Sequence, residues 1–194
     1  MSLLLRSWQG SIALFLCLAA PPGLPLVQSG TNGGAILVLL LVATGALVSF
    51  VRLSPVAAAS ILFVTAHLAA FLLIGTIAGN EGKANSSFFL LIVGSWLLGW
   101  RCITVLSELR PSTKTAATAL RLLIPAIFGA WVLILWEAVT RGAGVPFILL
   151  PPPSAIWDRI VSSVPILAAD VRQTIFKAVL FGYLVGCASG FAVA

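Results

Sequence analysis

Charged residues are scarce in this 194-residue chain, since Asp, Glu, Lys and Arg together make up 8% of it, against roughly 25% in an average soluble domain. Apolar residues make up 60%. This balance excludes an ordinary soluble domain. The apolar residues come in runs of about 17 to 24, the length that crosses a hydrocarbon core of roughly 30 Å. The sequence therefore predicts an all-α, polytopic transmembrane helix bundle embedded in a lipid bilayer.

The residue types that carry most enzyme chemistry are also scarce. His67 is the only histidine, and Cys17, Cys102 and Cys187 show no CxxC spacing. A zinc site needs three or four convergent ligands, and three separated cysteines make no disulfide framework. The motifs GxxxxGK[ST], HExxH and GxSxG are absent, which excludes a nucleotide-binding loop and two hydrolase arrangements. We expect no catalytic site, no metal site and no cofactor.

Lys and Arg exceed Asp and Glu by eleven to five, a net charge of +6. These charges stand between apolar runs, where they set membrane orientation, so we expect no nucleic-acid partner. With a cytoplasmic N-terminus, six basic residues fall inside and five outside. The inner ones are Arg6, Arg52, Arg101, Arg110, Lys114 and Arg121, and the outer ones are Lys83, Arg141, Arg159, Arg172 and Lys177. The density of the inner cluster favours this orientation.

Six apolar runs are candidate spans: residues 10–27, 35–51, 56–78, 87–106, 122–139 and 175–194. The first run also resembles a secretory signal peptide, because Arg6 precedes a short apolar core. Pro21 directly follows the only cleavage point, which favours an anchoring helix that ends or kinks at Pro21 and Pro22. Cleavage stays open as the alternative.

The most polar stretch of the chain, residues 108–118, contains Pro111 and predicts a linker. We place a domain boundary near residue 115. A four-span membrane extension (1–115) then precedes a second part (116–194). Within the spans, Trp131 is predicted to be a packing residue. His67 is predicted to form a hydrogen bond between helices, with a proton-relay or ligand role as the alternative.

A proline-rich loop lies between the last two spans. Pro151, Pro152 and Pro153 predict an extended segment outside the membrane, and Ser154 is the expected N-cap of the helix that follows. That helix is amphipathic and is expected to lie on the membrane surface. Its apolar stripe consists of Ile156, Ile160, Val161, Val164 and Leu167, opposite Asp158, Arg159, Ser162 and Ser163.

Small residues recur at every fourth position of the last span. They are Ala178, Gly182, Gly186, Gly190 and Ala194, and such a face allows another helix to approach closely. At the end of the fifth span, Glu137 stands four positions before Arg141, a spacing that predicts an ion pair on one helix face.

From about Leu122 onward the chain resembles the binding-protein-dependent ABC transporter permeases of the nitrate, sulfonate, taurine and bicarbonate branch. The resemblance covers roughly 73 residues and rests on the order of several motifs. A first core helix ends in Trp136 and Glu137. The segment Leu150-Pro151-Pro152-Pro153-Ser154 follows, with Trp157 soon after. The sequence Gln173-Thr174-Ile175-Phe176-Lys177 then leads into a helix containing Gly182, Gly186 and Gly190, with Lys177 where the family usually has arginine.

The resemblance implies a permease subunit of an ATP-driven importer for a small solute in the bacterial inner (plasma) membrane. It implies three partners: an ABC ATPase subunit that carries out ATP hydrolysis, an external solute-binding protein, and a second permease subunit, which would make a homodimer. The site residues that it implies are structural, and no solute ligand is assigned. They are Pro151, Pro153 and Ser154 in the external loop, Trp157 as its anchor, Trp136 and Glu137, and the three glycines.

Two departures from the family limit this interpretation. Four spans precede the core, and the Glu-Ala-Ala loop that docks the ATPase is absent from the sequence, so we expect an incomplete permease, a fragment that would not transport alone. The alternative is a non-transporting membrane scaffold or assembly protein whose glycine stripe only pairs helices. A membrane-embedded enzyme would need several polar groups at one depth, and only His67 lies clearly inside a predicted span.

Overall fold

The computed structural model describes residues 7–28 and 32–193, except for the side chain of Asn32. All regular elements in these ranges are helical. They are α1 (Trp8–Ala19), a 3₁₀ turn (Pro21–Gly23), α2 (Asn32–Val48), α3 (Pro55–Ile77), α4 (Ser86–Glu108), α5 (Lys114–Gly142), α6 (Pro153–Ser162), α7 (Val164–Val171), a π-helical segment (Arg172–Val179) and α8 (Leu180–Val193).

Four helices within the described ranges are long and apolar enough to cross a membrane. These are α3, α4, α5 and the continuous helix Val164–Val193, which contains α7, the π-helical segment and α8. Helices α1 and α2 are apolar but shorter. The structure therefore confirms the all-α fold class and indicates a membrane protein.

The chain divides into two compact units, Met1–Pro152 and Pro153–Ala194. In the first unit α4 is the central helix, because it contacts α1, α2, α3 and α5. Its side chains Phe88, Leu91 and Leu98 are fully buried. Large apolar side chains on the outside of the unit, including Leu18 and Phe71, are exposed, as expected of surfaces that face lipid.

Contacts near the helix ends show that consecutive helices of the first unit run antiparallel. At one end, the Trp8 and Trp100 rings lie 5.1 Å apart, and one cavity is lined by the end of α2, the start of α3 and the end of α4. At the other end, Ser87 Oγ donates to Gly23 O at 2.7 Å and Gly82 N donates to Arg141 O at 2.8 Å. We name the end with Trp8, Trp100 and the cavity the basic end, and the end with Ser87 and Arg141 the opposite end.

The predicted first span was too long at its C-terminal side. Helix α1 ends at Ala19, because Pro21 and Pro22 lack the N–H groups that would continue it. The segment still follows α4 over most of its length. Gln9 Nε2 donates to Thr104 Oγ1 at 3.4 Å, and Gly23 accepts from Ser87. The 17 residues of α4 between those contacts correspond to about 26 Å of helix.

The predicted linker 108–118 is also shorter than expected. Helix α5 begins at Lys114, with Thr113 as its N-cap accepting from Ala116 N. Its 29 residues correspond to about 43 Å, more than the hydrocarbon core of roughly 30 Å requires. The first two turns carry Lys114 and Arg121, so the uncharged apolar part of α5 is shorter than the whole helix. The domain boundary near residue 115 falls in the first turn of α5 and stays a prediction.

In the second unit, α6 begins at Pro153, so the prediction of Ser154 as the N-cap was wrong. A proline fits the first turn of a helix because the N–H that it lacks has no partner there. The predicted amphipathic stripe is divided at Ser163 between α6 and α7. The cause is Pro165, which cannot donate to the carbonyl of Val161. The last helix starts at Val164, eleven residues before the predicted start at residue 175.

Candidate functional site

The Trp136–Glu137 pair lies at the C-terminal end of α5, at the opposite end of the first unit. Glu137 is buried, and Arg141 Nη1 donates to its Oε1 at 3.1 Å, so the predicted pair on one helix face is confirmed. The other nitrogen, Arg141 Nη2, donates to Glu81 Oε1 at 2.9 Å. Arg141 thus joins α5 to the loop between α3 and α4.

Two glycines allow this loop to approach the end of α5. Gly82 and Gly144 both have positive φ, 74° and 66°, a region that residues with a Cβ rarely adopt. A Cβ on Gly144 would lie 2.8 Å from the Cα of Gly82. The hydrogen bond from Gly82 N to Arg141 O places Glu81 beside the guanidinium. The hydrogen bond that Arg141 donates lowers the pKa of the Glu81 carboxyl.

The motif residues of the external loop and α6 lie in the second unit, apart from Leu150, Pro151 and Pro152, which lie in the first. Pro151 precedes the helix, Pro153 is its first residue, and Ser154 lies in its first turn. The Trp157 side chain is 66% exposed. An indole exposed to this degree on an amphipathic helix suits the membrane interface, where its rings can lie in lipid and its N–H in water.

The three glycines of the last span lie on one face of α8. Apart from the backbone of the helix itself, no atom lies within 4 Å of the position that a Cβ would occupy on Gly182, Gly186 or Gly190. Within the described part of the second unit, this glycine face therefore meets no other helix. Every residue of Val164–Val193 is exposed except Cys187, which is half-buried. Within its own unit, the face is open to lipid or to another membrane helix.

The sequence predicted that His67 forms a hydrogen bond between helices, but among the described residues its side chain makes none to a second helix. Its Nδ1 lies 2.8 Å from the Phe63 carbonyl oxygen of the same helix. A carbonyl only accepts, so Nδ1 carries the proton in this bond. The contact with α5 is made by rings instead, since the imidazole and Trp131 centroids lie 5.3 Å apart. Trp131 is 2% exposed, which confirms it as a packing residue.

The structure thus brings Glu137 together with Arg141 and Glu81, while the loop, α6 and α8 residues lie in the other unit or at its boundary. Sequence reasoning missed Glu81, because only tertiary structure places it beside Arg141. It also treated Arg52 and Arg101 solely as orientation charges, although both line a cavity at the basic end. Among the described residues, no three His, Cys, Asp or Glu side chains could together hold a metal ion.

None of the known family models, curated proteins or solved structures matches this chain.

Proposed function

We propose that the chain is a membrane-spanning permease subunit of an ATP-driven ABC importer for a small solute of the nitrate, sulfonate or taurine kind. The observation that carries the proposal is the second unit. An amphipathic helix beginning at Pro153 leads into a 30-residue apolar helix whose glycine face meets no other described helix of that unit. The order of the sequence motifs from Trp136 to Gly190 supports the assignment to this family of permeases.

A small-residue face on an apolar helix supports close packing against another membrane helix. In the proposed permease that helix belongs to a second permease subunit, which makes a homodimer. An external solute-binding protein delivers the solute, and an ABC ATPase subunit hydrolyses ATP, so this chain is not itself an enzyme. The location that we propose is the bacterial inner membrane.

We also propose six membrane crossings with the N-terminus in the cytoplasm. Four crossings are the long helices α3, α4, α5 and Val164–Val193. Helix α2 and the segment from α1 to Gly23 are the other two, since the latter extends beside α4 for about 26 Å, close to the hydrocarbon thickness of roughly 30 Å.

The experiment that tests the function is deletion of the gene, followed by uptake of labelled nitrate, taurine and bicarbonate into intact cells at low external concentration. We expect ATP-dependent uptake of one of these solutes to be lost and to return with a plasmid copy of the whole gene. A copy carrying Gly186→Leu, which blocks the glycine face, should fail to restore uptake. The matched control, Val185→Leu, leaves that face unchanged and should restore it.

The opposite result has a definite meaning. If the deletion changes no uptake while the protein is present in the membrane of the parent strain, the permease proposal is wrong. A scaffold whose glycine face only pairs helices would then be the better account.

A further inference from the structure

A cavity of about 410 Å³ opens at the basic end of the first unit, between the end of α2, the start of α3 and the end of α4. Its volume lies in the range of ligand pockets, about 300–1,000 Å³. Three charged residues line it: Arg52 from the loop between α2 and α3, and Arg101 and Glu108 from α4. Apolar residues, including Leu62 and Val105, form much of the remaining wall.

The two arginines of this cavity have no anionic partner among residues 7–28 and 32–193. The two salt bridges in these ranges both belong to Arg141, so Glu108 pairs with neither arginine. The buried Nε of Arg101 has no hydrogen-bond partner within the described part of the chain. Arg101 lies seven residues before the end of α4, about 10 Å along the helix. A guanidinium group this far from the end of a membrane helix is stabilised by an anionic partner.

The charges of the cavity match an anion of one negative charge, because two arginines and one glutamate sum to +1. Guanidinium groups bind phosphate oxygens through paired N–H donors. The start of α3, at Pro55, also lines the cavity, and its helix dipole favours an anion there. The apolar walls fit the carbon atoms of an ester better than a bare ion.

We propose that this cavity binds a singly charged phosphodiester, in which the phosphate contacts Arg52 and Arg101. Two sources have this chemistry: the head group of an anionic phospholipid and a soluble phosphodiester. Basic pockets between membrane helices are known to take anionic lipid head groups. The site does not depend on transport and would operate in a permease or in a scaffold.

The test uses the full chain, purified and stripped of lipid in detergent. Phosphatidylglycerol and phosphatidylcholine are titrated separately, and bound lipid is counted by native mass spectrometry. We expect tight binding of phosphatidylglycerol alone. Arg101→Gln should weaken it about tenfold, since a hydrogen bond to a charged group contributes that much. Arg52→Gln should also weaken the binding of phosphatidylglycerol. Because Arg52 is exposed, this variant leaves the packing intact.

Arg110→Gln is the matched control, because it removes the same charge from the same end at an exposed residue outside the cavity. It should change binding by less than about twofold. Excess dimethyl phosphate and glycerophosphoglycerol, which are both soluble, singly charged phosphodiesters, are then added to separate samples. Displacement of the lipid by either supports a soluble ester as the source, and lipid that stays bound supports the head group. Equal losses in the Arg101 and Arg110 variants, or equal binding of the two lipids, would overturn the proposal.

Discussion

A glycine on α4 lets an indole from α5 lie directly against the helix backbone. A Cβ added to Gly99 would overlap the Trp131 ring, with Cε2 at 2.5 Å. Trp131 also contacts the His67 ring on α3. One tryptophan therefore holds three helices together, and the contact depends on the missing side chain of Gly99.

We predict that Gly99→Ala destabilises the protein by about 1–3 kcal/mol, the usual cost of overpacking. In a chain of this size that corresponds to roughly 2–10 °C in Tm. Thermal unfolding in detergent, followed by tryptophan fluorescence, measures it. Gly129→Ala is the control, since a Cβ there would meet nothing within 4 Å and alanine favours a helix. Equal effects of the two substitutions would contradict the proposed contact.

A second variant separates steric overlap from any other effect of the alanine. Trp131→Leu shortens the side chain that a Cβ on Gly99 would meet. Adding Gly99→Ala to Trp131→Leu should therefore cost less than adding it to the natural protein, by an interaction energy of about 0.5–3 kcal/mol. Additive effects would show that the two residues are independent.

At the scale of elements, one arginine joins the loop between α3 and α4 to the end of α5. The Glu81 side chain in that pair is 45% exposed, and exposed pairs contribute only about 0.2–1 kcal/mol. Because its pKa is lowered in the folded protein, the pair stabilises the fold above the ordinary carboxyl pKa of about 4.3. That contribution is lost as pH falls through the lowered pKa.

We predict that Glu81→Gln lowers Tm by up to about 3 °C at pH 7 and that the difference from the natural protein disappears in acid. Melting curves in detergent between neutral and acidic pH measure it. Glu108→Gln is the matched control, because the Glu108 carboxylate makes no ion pair within the described ranges. A Glu81→Gln deficit that persists unchanged in acid would show that the amide disturbs the loop by another route.

The sequence predicts helices better than it predicts their ends and partners. Apolar runs identify α3 and α4 almost to the residue, because a bilayer imposes length and composition together. Pro165 divides the amphipathic segment because it lacks a backbone N–H. The pattern of apolar positions continues past Pro165, so it does not reveal this break. Arg141 forms its predicted pair with Glu137 at a local spacing of four residues. Its bond to Glu81 spans sixty residues, which no periodicity reveals.

At the scale of the whole molecule, the structure shows which charges share an end, and this sharpens the argument about orientation. Among the residues that the structure describes, the basic end of the first unit carries five basic residues and the opposite end two, Lys83 and Arg141. The five are Arg52, Arg101, Arg110, Lys114 and Arg121. Counted along the sequence, six basic residues fell on the inner side and five on the outer side. The difference was small because the outer count included Arg159, Arg172 and Lys177 of the second unit.

Basic residues near the ends of spans are retained on the cytoplasmic side, so we predict that the basic end faces the cytoplasm. Ser112 is exposed at this end and Lys83 at the other. Each is replaced by cysteine in a Cys187→Ser background, since Cys17 and Cys102 are buried. A membrane-impermeant maleimide should label Lys83→Cys in intact cells and Ser112→Cys only after permeabilisation. Labelling of Ser112→Cys in intact cells would reverse the orientation, and would place the Arg52–Arg101 cavity in the outer leaflet.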